Sequence, residues 1–189
     1  MKAFRDFHCI NVVSGLPRSG TSLMMNILSA LDQDVFYDDE RKSDASNPGG
    51  YFESQLVKGI PHGEISFLNE VESWVKITAN YIPYICDNFS IKMIYMDRSL
   101  EEVARSQSKM IDEGISDLER QVELLAEARE RAFYFMRSRL NIDYHVVNYG
   151  ELVSSPDDCV GALSRFLGGA GDCSRAVAVV DEKLYRNKG

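Results

Sequence analysis

The chain has no basic excess, few histidines and no long apolar run, and each absence excludes something. Of its 189 residues, 21 are Lys or Arg and 29 are Asp or Glu, a formal net charge of −8. A general nucleic-acid surface normally carries a basic excess, so that class is disfavoured. A strongly polyanionic partner is disfavoured too, although a local basic cleft can survive inside an acidic protein. The cysteines, Cys9, Cys86, Cys159 and Cys173, form no C-x-x-C pair and no metal-ligand spacing. They are expected to be reduced, mostly buried thiols. No stretch of about 20 apolar residues is present. Met1 to His8 carries no signal-like apolar stretch, so no membrane anchor is expected. No repeat, low-complexity tract or linker interrupts the chain. With 44% hydrophobic and 26% charged residues, the composition is that of one ordinary globular domain over residues 1–189.

The informative stretch is Val12-Val13-Ser14-Gly15-Leu16-Pro17-Arg18-Ser19-Gly20-Thr21-Ser22-Leu23. An apolar strand runs into a glycine-bounded loop and then into a helix of apolar periodicity. Gly15 and Gly20 are spaced as in a phosphate-binding P-loop, which aims backbone N–H groups and a helix N-terminus at an anion. The lysine that follows the second glycine in nucleoside-triphosphate enzymes is replaced by Thr21. The cation sits inside the loop instead, at Arg18, as suits a phosphate-like group handled without Mg²⁺. A plain Gly/Pro turn would account for Gly15 and Gly20 but not for Arg18 beside Thr21-Ser22.

Beyond the loop, strands and helices alternate. Strands are expected over 8–14, 74–77, 91–96 and 144–148. A helix over 21–31 should turn Leu23, Ile27, Leu28 and Leu31 inward. Residues 32–50 read as a polar loop ending in the turn Asn47-Pro48-Gly49-Gly50. A helix over 53–70 should break near Pro61. Ser99 with Glu102 makes a capping box, opening a helix whose stripe is Leu100, Val103, Ala104, Met110 and Ile111. A long helix over 117–140 carries Leu118, Val122, Leu125, Ala132, Met136 and Leu140, and a last one opens at Ser155-Pro156. This order implies an α/β fold of three layers, with a central parallel sheet flanked by helices.

Pro17 to Ser22 resembles, position for position, a loop of the sulfotransferase family. There the loop holds the 5′-phosphosulfate of PAPS (3′-phosphoadenosine 5′-phosphosulfate). The resemblance implies that Arg18, Ser19, Gly20, Thr21 and Ser22 bind PAPS and its product PAP (3′-phosphoadenosine 5′-phosphate). A second stretch, Ile91 to Arg98 followed by Ser106, ends a strand where ligands bind in open α/β sheets. It looks like the family's clamp on the 3′-phosphate, Arg98 offering a planar fork and Ser106 one hydroxyl. Val147 to Pro156, followed by Phe166-Leu167-Gly168, is similar to the family's late strand, with Gly150 in place of the usual glutamate. That likeness puts Tyr149 near the adenine. Asn47 to Glu53 is like a segment of many bacterial members, and Arg186 falls where a basic segment of the family closes over the nucleotide. Members of the secretory pathway normally carry an anchor, so a cytoplasmic protein of bacterial or viral type is implied.

Sulfuryl transfer to an alcohol requires a base, cations on the transferring and leaving groups, and alignment of the two substrates. Arg18 can neutralise the leaving 5′-phosphate. Lys76 aligns with a family strand whose lysine contacts the sulfuryl group; a plain strand-edge lysine is the alternative. For the base, Glu53 is favoured, as a carboxylate at a helix start that the dipole keeps ionised. Asp38, Asp39 and Glu40 stand in reserve, while His8, His62 and His145 lie in unsuitable contexts. The acceptor is a small molecule or a glycan of unread identity, and the oligomeric state is open. Two other readings stand beside this one: a P-loop kinase acting on a small metabolite, and a non-catalytic nucleotide-binding protein of the same fold.

Overall fold

A computed structural model describes residues 7–38, 50–111, 114–169 and 171–181. Among the described residues, β1 (Cys9–Gly15) occupies the middle of a five-stranded sheet. Its Ile10, Val12 and Val13 are buried, as an apolar run covered on both faces must be. β3 (Trp74–Lys76) pairs with it on one side and β4 (Ser90–Asp97) on the other. β2 (Val35–Phe36) and β5 (Ile142–Asn148) form the edges, and every pairing is parallel. In register, Val13 stands opposite Lys76 and Ile94, Gly15 opposite Met96, and Asp97 opposite Asn148. All the strands run the same way, so the segments that follow their carboxyl ends emerge along one edge of the sheet.

Strand periodicity sorts the core into two layers. Ile10, Val12, Val75, Ile91, Met93 and Tyr95 face α3 (Leu100–Ser108) and α4 (Leu118–Ser138), packing on Val103, Ala104, Leu125 and Met136. Val13, Trp74, Ile94, Met96 and Val147 face the other way. They meet α1 (Thr21–Ala30), α5 (Tyr149–Ser154), α6 (Pro156–Phe166) and α7 (Cys173–Ala178). Each fully buried aliphatic side chain contributes about 1.5–3 kcal/mol. This is the α/β three-layer fold expected from the alternation of elements.

Several expectations are corrected. Residues 32–50 contain the short strand β2, held by pairing to β3. The helix expected over 53–70 is two 3-10 segments, Gln55–His62 and Ser66–Asn69, because Pro61 and the left-handed Gly63 stop regular α-structure. A further 3-10 turn, Ala79–Tyr81, leads into α2 (Ile82–Ile85). Leu23 is only partly buried, while Met24 and Met25 fill the core. Met110 and Ile111 are exposed, because α3 ends at Ser108. Leu118 and Leu140 are also exposed, at and beyond the ends of α4. All four thiols are free, but only Cys86 is buried, and Cys9 is exposed. Tyr149 opens the helix α5, with Asn148 as its cap, a helix start that the sequence reading did not place. Asp39, Glu40, Asn47 and Arg186 lie outside the described residues.

Candidate functional site

The loop after β1 is shaped by three backbone constraints. A side chain at Gly15 would bring its Cβ within 2.7 Å of the Met96 carbonyl oxygen on β4. Arg18 adopts a left-handed φ of 77°, uncommon for a residue with a Cβ. Gly20, at φ 103°, has the Tyr149 ring against its α-carbon, leaving no room for a side chain. The Ser19 amide donates to the Leu16 carbonyl at 3.0 Å and closes the turn.

α1 then begins at Thr21 with no side-chain cap among the described residues. Its first amides are left for water or a ligand, and its dipole favours an anion there. The Ser19 hydroxyl is buried and has no hydrogen-bond partner among the described residues. A buried unpaired hydroxyl costs about 1–3 kcal/mol, so a ligand that engages it is favoured. The loop therefore fits a phosphate-like anion by its own geometry.

Arg18, Arg98 and Ser106 converge although 80 and 88 residues separate the loop from its two partners. The Arg18 Nε donates to the Ser106 Oγ at 3.1 Å. An Arg98 NH1 donates to the Arg18 carbonyl at 3.3 Å. The Arg98 Nε donates to the Glu102 carboxylate at 2.8 Å, one turn along α3. Beneath it the guanidinium lies over the Tyr149 ring, 4.3 Å from the centroid. Burial pushes the Tyr149 phenol up, with Arg98 pulling the other way. Gln107 braces the loop from α3 by donating to the Pro17 carbonyl at 2.9 Å. It accepts in turn from Gln121 of α4 at 2.7 Å.

A second cluster forms around Lys76. Its ammonium donates to the Tyr51 carbonyl, to the Ser22 hydroxyl at 3.4 Å and to the Glu53 carboxylate at 3.2 Å. The Ser22 hydroxyl itself donates to the Tyr51 carbonyl at 3.2 Å. Lys76 thus ties the 51–53 segment to the start of α1. That segment is bent by left-handed Gly50 and Phe52, at φ 89° and 49°. It is pinned on the other side by the Asp38 amide, which donates to the Glu53 carbonyl at 3.0 Å. The Asp38 carboxylate accepts from the Gln55 amide at 2.6 Å. Glu53 is not a helix-start residue as expected: Ser54 is the cap and Gln55 the first residue of the turn. Among the described residues, Lys76 places a positive charge against Glu53 at 3.2 Å.

Of the residues singled out in the sequence, Arg18 to Ser22, Arg98, Ser106, Tyr149, Lys76 and Glu53 all stand at the carboxyl edge of the sheet. His8 precedes β1, at the opposite end of that strand. His145 lies within β5, stacked on Phe166, and burial pulls its pKa down. Sequence reasoning missed Glu102 and the Tyr51 carbonyl. The Arg98–Glu102 spacing of four was a visible signal, but the capping box had already taken Glu102.

No family profile matches the sequence, and no curated protein matches it. Solved structures do match the fold. One is mouse sulfotransferase SULT7A1 complexed with PAP, 12% identical, with a TM-score of 0.55 over 96% of this chain and 68% of that one. Another is the sulfotransferase domain from the curacin biosynthetic pathway, 15% identical, with a TM-score of 0.53 over 96% and 92%. A third is retinol dehydratase in a complex with retinol and PAP, 12% identical, with a TM-score of 0.50 over 95% and 66%. The chain has the fold of the sulfotransferases. Among the described residues, no helix is long and apolar enough to cross a membrane.

Proposed function

We propose that this protein is a PAPS-dependent sulfotransferase, moving a sulfuryl group to a hydroxyl or amine of a small molecule or glycan and leaving PAP. The observation that carries the reading is the meeting of the loop cation with the distant Arg98–Ser106 pair, by the Arg18–Ser106 and Arg98–Arg18 hydrogen bonds. Two solved structures of this fold contain PAP. A kinase of the same general shape would need a lysine where Thr21 stands.

Arg18, the Ser19 hydroxyl and the amides of Gly20, Thr21 and Ser22 would hold the 5′-phosphate end, and Arg98 with Ser106 the 3′-phosphate. Tyr149 supports Arg98 from below, and Arg186 remains a further candidate for the 3′-phosphate. PAPS supplies an activated sulfuryl group, whose new bond to the acceptor oxygen or nitrogen forms as its bond to the 5′-phosphate oxygen breaks. Glu53 takes the acceptor's proton. Lys76 holds Glu53 in place and puts positive charge beside the transferring group. Arg18 neutralises the charge that builds on the leaving phosphate. The work is positioning and electrostatics, supplied by side-chain cations.

Calorimetry with PAP in chelator, set against ATP with Mg²⁺, tests the reading. PAP is expected to bind without a metal; an absolute Mg²⁺ requirement for nucleotide binding would overturn it. Turnover of labelled PAPS over an acceptor panel separates the enzyme from a non-catalytic binder. Arg98→Ala is expected to weaken PAP much more than adenosine 5′-phosphosulfate, which lacks the 3′-phosphate. Loss of a charge-assisted contact removes about 1.5–3 kcal/mol, or about ten- to a hundredfold in affinity. Equal losses for both ligands would make Arg98 a purely structural residue.

A further inference from the structure

Glu102 is a buried carboxylate set beside the site proposed for a phosphate, where its charge opposes binding. Its side chain and that of Arg98 are only 7% and 8% exposed, and their N–O distance is 2.8 Å. Such a pair is costly to desolvate and contributes little net stability, so stability alone is a poor reason for it. The geometry around Arg98 offers a better one. Glu102 holds the Nε edge of the guanidinium, the Tyr149 ring covers one face at 4.3 Å, and the Arg18 carbonyl takes an NH1 hydrogen at 3.3 Å. Arg carries five N–H donors in one rigid plane. Fixing the Nε edge fixes the direction of all the others. Without Glu102, the Arg98 side chain would keep its charge but lose the bond that fixes its Nε edge.

We infer that Glu102 is a positioning residue: it orients the Arg98 guanidinium toward the 3′-phosphate, at the expense of a repulsive charge close by. The inference rests on the PAPS reading above, and it yields a sign that simple electrostatics does not. If Glu102 acted only through its charge, removing it would tighten anion binding. If it aims Arg98, removing it loosens PAP.

Calorimetry on the full chain, with PAP and with adenosine 5′-monophosphate, separates these roles. Glu102→Ala is expected to weaken PAP about tenfold while leaving the monophosphate within about twofold. Glu102→Gln keeps an acceptor for the Arg98 Nε without the charge, and PAP affinity should hold or rise. In an Arg98→Ala background, Glu102→Ala should no longer weaken PAP, since no guanidinium is left to aim. Should Glu102→Ala not fold, Glu102→Asp answers the same question: it keeps the charge, shortens the reach, and should weaken PAP alone. PAP binding unchanged or tighter in Glu102→Ala or Glu102→Asp, or a parallel fall for both ligands, overturns the inference. If the wild-type protein binds PAP no better than the monophosphate, the nucleotide reading itself fails and this role with it. If wild type prefers PAP and the Glu102 variants do not change that preference, only the positioning role falls.

Discussion

Glu53→Gln is expected to leave PAPS affinity unchanged and to slow transfer by about 10²–10⁴, the usual loss on removing a general base. Glutamine keeps the size of the side chain and an oxygen for the Lys76 ammonium, so the 3.2 Å contact that ties Glu53 to β3 can persist. It cannot take a proton from the acceptor. The backbone makes the choice specific. Phe52, immediately before, sits at a left-handed φ of 49°, a conformation that costs a residue with a Cβ of order 1–3 kcal/mol. The segment holds it through the Lys76 bond to the Tyr51 carbonyl and the Asp38 amide bond to the Glu53 carbonyl. Asp38→Asn serves as the paired variant. Asparagine keeps an oxygen for the Gln55 amide, so the melting temperature and the rate should both stay near those of the wild type. Single-turnover rates for the two variants decide the matter. Near-normal transfer in Glu53→Gln with a large loss in Asp38→Asn would move the base and leave Glu53 a tether.

The parts legible in the sequence were those where one local rule acted alone. The change from alternating to helical periodicity around Gly15 and Gly20 marks the strand, loop and helix. The apolar run at 91–96 marks β4, which is buried on both faces. Where two rules compete for one residue, local reading chose the nearer partner. Glu102 matched a capping box with Ser99; its amide does bond the Ser99 hydroxyl, at 3.4 Å, but its carboxylate turns to Arg98. Asn148-Tyr149-Gly150-Glu151 is itself a helix-start pattern, and the Glu151 amide bonds Asn148 at 3.1 Å. The strand expected over 144–148 stops just before Tyr149, and the helix start itself was left unread. The Lys76 cluster was out of reach for another reason. Its contacts join residues 54, 25 and 23 positions apart, and one of the acceptors is a backbone carbonyl without any sequence signature. Such a contact exists only once the sheet has brought β3 beside β1.

Arg18→Gly is expected to cut kcat by about 10²–10³, the range seen when one preorganised donor to a developing negative charge is removed, while leaving the melting temperature near that of the wild type. Two effects on stability oppose each other. Arg18 adopts φ 77°, a region glycine enters at no steric cost, so the substitution relieves the backbone. It also removes the 3.1 Å bond from the guanidinium to Ser106, a contribution of about 1–2 kcal/mol. The Arg98 bond to the carbonyl at position 18 needs only backbone and can remain. The variant that best suits the loop's conformation is therefore the one that removes its cation. Arg18→Lys adds a graded case: it restores a point charge without the planar fork, and kcat should recover only in part. Thermal melts together with saturating PAPS kinetics read both quantities on the same samples. A stable Arg18→Gly protein with wild-type kcat would show that the loop cation takes no part in transfer, and the charge on the leaving phosphate would fall to Lys76 and the α1 amides.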